Sequence, residues 1–121
     1  MKPALTAEQE RELEAKADEM AANPPDGLAF LGPLIARPGP MREVVKSGHW
    51  LQRQLREIGA TCEQIDAIGF AHGQMCFGAD PWDKAVDALA KFKAGKPDQP
   101  GLALAVEIFD EVTGRNAYKN N

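Results

Sequence analysis

Ile58-Gly59-Ala60-Thr61-Cys62-Glu63-Gln64 closes one helix and opens the next. A glycine just past a last turn takes the left-handed conformation that satisfies orphan carbonyls. Thr61 then supplies a hydroxyl for the N–H groups of the following first turn. Asp80-Pro81-Trp82-Asp83 repeats the opening signal, with proline where no N–H is missed. Thr6 and Gln9 have capping-box spacing, and Gly78, Gly95 and Gly114 are further stops.

Working outward from these marks, helices are expected over 6–22, 28–36, 41–58, 62–77, 81–93 and 100–113. Pro24-Pro25 and Pro38-Gly39-Pro40 make rigid turns. In the third helix Met41, Val44, Gly48, Leu51, Leu55 and Ile58 form a heptad-like seam. In the fifth, Trp82, Ala85, Val86, Leu89 and Phe92 share a face, opposite Lys84, Asp87 and Lys91. The first helix has only Leu13, Ala17 and Met20, a thin stripe that suits loose packing or a partner. The run Leu102 to Phe109 is apolar almost all round, which suits a central helix, an oligomer interface or a buried strand. The expected fold is all-α, a compact five- to six-helix bundle-like single domain over 1–121, with 1–5 and 115–121 frayed.

The 121 residues suffice for one domain with a real core, and 44% apolar with 26% charged residues is a globular balance. A net charge of −4 gives no electrostatic case for nucleic acid or an anionic membrane. The stretch Leu28 to Ala36 is broken by Gly32 and Pro33 and is too short to span a bilayer. Glu8, Glu10, Glu12, Glu14, Asp18 and Glu19 make the beginning acidic, unlike a secretory signal, so the cytoplasm is the expected compartment. Cys62 and Cys76 lie roughly 21 Å apart along one helix, beyond the reach of a disulfide unless that helix breaks. Reduced cysteines fit the same compartment.

Charge is unevenly distributed. Arg37, Arg42, Lys46, Arg53 and Arg56 share their stretch with Glu43 alone, whereas Glu57 to Asp83 holds five carboxylates and no Lys or Arg. Mutual neutralisation within the fold is the expected outcome.

Three constellations carry functional expectations. Leu51 through Phe70 resembles a helix-turn-helix, with Leu55, Ile58, Ile65 and Ile68 placed to pack the corner. Its second helix begins with Glu63 and Asp66, has no base, and offers only Gln64 and Gln74 to read a base pair, which weighs against DNA binding. His72 and Cys76 share a helical face as half of a metal site or a thiol dyad, which His49, Asp66 or Asp80 would have to complete. A core histidine is the plainer reading. Trp50 lies about 140° from the seam among charged neighbours that include Arg53, as a binding anchor would. Phe70 and Phe77 lie opposite Ile65, Ile68 and Met75. Cover by the first helix or by the Leu28–Ile35 segment is the plainer reading of Trp50.

No catalytic set is complete, and nothing calls for a cofactor. The sequence reads as a small acidic interaction or regulatory module. Trp50, Arg53, Phe70 and Phe77 are its candidate contacts with a protein partner or a second copy. A DNA-binding corner and a metal or thiol centre at His72, Cys76 and His49 are the alternatives.

Overall fold

The computed structural model describes residues 2–75 and 80–94. The helix expected at 100–113, the stops at Gly78, Gly95 and Gly114, and the tail at 115–121 lie outside them. The fold is all-α: α1 spans Ala7–Ala22, α2 Leu31–Ala36, α3 Pro40–Glu57, α4 Cys62–Met75 and α5 Pro81–Ala94. No strand occurs among the described residues, and no helix there is long and apolar enough to cross a membrane.

The caps act as the sequence implies. Gln9 N–H donates to Thr6 Oγ1 at 3.1 Å and Thr6 N–H to Gln9 Oε1 at 2.9 Å. Thr61 and Gln64 repeat this reciprocal pair at 2.9 and 3.1 Å. Asp80 Oδ1 accepts the N–H of Trp82 at 2.9 Å. Gly59 has φ +90°, so the α3–α4 corner does depend on a left-handed residue. The second segment is helical only from Leu31, after a turn in which Leu31 N–H donates to the Leu28 carbonyl.

Helix α3 is the hub, packed against the other four helices. The core joins Leu13, Trp50, Leu51, Leu55, Ile65, Ile68, Trp82, Leu89 and Phe92, with Ala71, Ala85 and Ala88 allowing close helix approach. Each such large side chain contributes about 1.5–3 kcal/mol on burial. Val86 lies off this surface, because Ala88 rather than Val86 completes the buried stripe of α5. Ile58, expected to pack the corner, is 44% exposed one residue beyond the end of α3, while Leu55, Ile65 and Ile68 do pack it. Residues 2–5 are held rather than frayed: Leu5 packs on the core, and Lys2 pairs with Glu10 at 2.7 Å beneath the Trp82 ring face.

The docking of α1 follows a different rule. Its fully buried residues are Leu13 and Ala17 alone, as its thin stripe implies. Charge completes the contact. Arg42 reaches Glu14 and Asp18, and Lys46 reaches Glu14 at 2.6 Å and Glu10 at 3.7 Å. Burial disfavours the Lys46 ammonium, but Glu14, Glu43 and Glu10 outweigh that and raise its pKa. Within the basic stretch Arg42, Lys46 and Arg53 are therefore paired with carboxylates of α1, and Lys46 with Glu43 as well. The close approach of α2 to α1 needs Gly32, where a Cβ would sit 2.9 Å from the Ala21 carbonyl oxygen.

Candidate functional site

Trp50 is not an exposed binding anchor; the plainer reading, cover by the first helix, holds. It is a core residue, 9% exposed, with its ring centroid 6.0 Å from that of Trp82 at a tilt of 60°. Its charged neighbours disguised the packing. Lys46 is itself buried, because α1 lies over that side of α3 with the carboxylates that Lys46 needs, and Ser47 is buried against His72 of α4. Arg53 is about half exposed and engaged within the fold, bonded to Glu12 of α1 and 3.7 Å from Glu57. Phe70 is 72% exposed on α4, the most exposed large apolar side chain among the described residues. Phe77 lies outside the described residues. Phe30, 66% exposed ahead of α2, is an exposed aromatic that the sequence reading passed over, because it looked like part of a buried segment.

The outer face of α4 carries Glu63, Asp66 and Phe70, all exposed and about one turn apart. No cation lies on this helix or its flanking loops up to Asp83. Gln64, a candidate base reader, is only 2% exposed, and its side-chain oxygen is committed to the Thr61 N–H. The corner thus exists as folded structure, while its second helix turns carboxylates outward.

His72 is 1% exposed and sits where α3, α4 and the start of α5 meet. Its Nε2 lies 3.1 Å from the Pro81 carbonyl and 3.2 Å from Ser47 Oγ. A carbonyl only accepts, so Nε2 carries the proton. Ser47 Oγ lies 3.1 Å from the Val44 carbonyl and spends its own hydrogen there. Nucleophile–base catalysis needs the reverse polarity, with the serine donating to a bare imidazole nitrogen. Burial holds the His72 pKa below its usual value, partly offset by the Pro81 bond. The arrangement is a neutral tie between helices.

His49 is half-buried. Its pKa is lowered by burial first and then by Lys16, with Glu19 opposing. His49 and His72 both line a shallow depression of about 160 Å³ between α3 and α4. Among the described residues no group of three or more His, Cys, Asp or Glu could hold a metal ion. Cys76 lies outside them, and Cys62 is an exposed free thiol at the start of α4.

A second cleft, about 260 Å³, opens between α1 and α3. Leu13 and Trp50 form its floor, and Lys16, Arg53 and Arg56 line it with Glu12 as the lone carboxylate. The sequence reading missed it, because its walls come from two helices whose relative placement depends on the Arg42 and Lys46 contacts.

Comparison with family models, with curated proteins and with solved structures returned no match to this chain.

Proposed function

We propose that the chain is a non-enzymatic interaction module whose docking face is the outer side of α4, centred on Phe70. The observation that carries this reading is the 72% exposure of that phenyl ring on a well-capped helix whose opposite face is core. A buried aromatic contributes large contact area at small entropic cost, and such residues anchor interfaces. Glu63 and Asp66 beside it form an acidic rim, so the matching surface is an apolar socket edged by Lys or Arg. The same carboxylates disfavour phosphate backbones, which places DNA behind protein as the partner.

A photo-crosslinking residue placed at position 70 tests the reading in cells, with mass spectrometry identifying the joined peptides. Recurrent crosslinks to one protein surface rich in Lys or Arg support it. A position that joins to nothing, in a protein that melts normally, overturns it.

A further inference from the structure

Resting on that reading of Phe70, we infer that the surface receiving it is the α1–α3 cleft of a second copy of this chain, in a knob-into-cleft contact. The two surfaces are complementary. The knob is Phe70 with Glu63 and Asp66, apolar at its centre and negative at its rim. The cleft has an apolar floor of Leu13 and Trp50 and a rim of Lys16, Arg53 and Arg56. Its volume of about 260 Å³ has room for a phenyl ring. The lining holds three cations to one carboxylate, with Glu57 and Glu19 paired to Arg53 and Lys16 from outside it, on a chain whose net charge is −4. A basic mouth on an acidic protein is a local feature that attracts the acidic knob of a neighbour while the bodies as a whole repel.

The energetics set the character of the contact. Arg53 is already shared between Glu12 and Glu57, and Lys16 lies 3.8 Å from Glu19, so Asp66 and Glu63 would replace existing pairs. Arg56 has no carboxylate within salt-bridge distance among the described residues and gains most. Exposed pairs are individually weak, so the ring carries the affinity and the charges fix its orientation. Moderate salt screens the net repulsion of the bodies, which acts over a Debye length of about 8 Å, more than it screens contacts inside the interface. Weak, concentration-dependent association follows. Knob and cleft are different patches, so one such contact leaves a free knob on one copy and a free cleft on the other.

Sedimentation of the full chain over a concentration series up to about 1 mM is the first measurement. The average mass is expected to rise with concentration. Phe70→Asp destroys the knob and keeps the cleft; Arg56→Glu reverses the mouth and keeps the knob. Each variant alone should remain monomeric, and an equimolar mixture should form pairs containing one of each and nothing larger. Both positions are exposed, and circular dichroism with a melting curve checks each fold. Should either variant fail to fold, Phe70→Ser and Lys16→Glu serve in the same mixing design. A wild type that stays monomeric overturns the inference, and so does a mixture that stays monomeric while the wild type associates. If the wild type is monomeric yet position 70 crosslinks to another protein, the second copy is removed and the Phe70 docking face stands. If there is neither association nor crosslink, both fall.

Discussion

Arg42 of α3 and Glu14 of α1, 28 positions apart, form a forked ion pair with Nε and Nη2 at 3.1 and 2.5 Å from one carboxylate oxygen. The same guanidinium donates to Asp18 at 2.8 Å and to the Ile35 carbonyl at 3.0 Å. One side chain therefore joins α1, α2 and α3. It can do so because guanidinium is planar, permanently charged and carries five donors.

Arg42→Ala should destabilise the fold by about 2–3 kcal/mol, since it strands the Ile35 carbonyl and removes charge-assisted bonds to two carboxylates. Arg42→Lys should recover less than half of that loss, because one ammonium cannot span all three partners. Urea unfolding measures both. A lysine variant as stable as the wild type would mean that charge alone holds α1. Arg53→Ala, at the more exposed pair with Glu12, should cost no more than about 1 kcal/mol.

Acid should weaken the fold in two windows. Burial depresses the His72 and His49 pKa values below 6.5. The unfolded chain then takes up protons that the folded one refuses, and stability starts to fall as pH drops through about 6.5. The second window involves carboxylates. Hydrogen bonds from Lys46 and then Arg42 hold Glu14 below its ordinary value of 4.5, and Lys2 does the same for Glu10. Their contribution is complete above 4.5 and is lost as pH falls from there through the folded values. Urea midpoints from about pH 8 to about pH 3 should show both declines. Glu14→Gln should flatten the lower window and leave the upper one. A midpoint constant down to pH 4.5 would mean that the histidines are protonated within the fold.

Much of the fold was legible because it is encoded locally. Caps at Thr6, Thr61 and Asp80, and the stop at Gly59, depend on residues within a few positions of one another. What could not be read was the face α3 turns toward α1. A helical wheel treats Arg42 and Lys46 as surface, and only the arrival of Glu14 makes their burial affordable. Cover of Trp50 was the plainer reading and holds, while the anchor reading fails for that reason, and the cleft beside it was invisible. Phe70 was placed opposite the core of α4 by periodicity alone, since Ile65, Ile68 and His72 already define that helix's inner side.

Trp50 and Phe70 should consequently behave as opposites on truncation. Trp50 packs against Trp82 of α5 in the core that also holds Leu13, so Trp50→Ala leaves a cavity and should cost about 3–5 kcal/mol. Against a whole stability of about 5–15 kcal/mol, that loss removes a large share, and leaves a substantial unfolded fraction where the total lies near the lower end of the range. Phe70→Ala removes a ring that is 72% exposed, and alanine favours helix more than phenylalanine does, so its stability should stay within about 0.5 kcal/mol of wild type. Paired melting curves decide the matter. Comparable losses at the two positions would place Phe70 in a packed environment and remove the free aromatic face from α4.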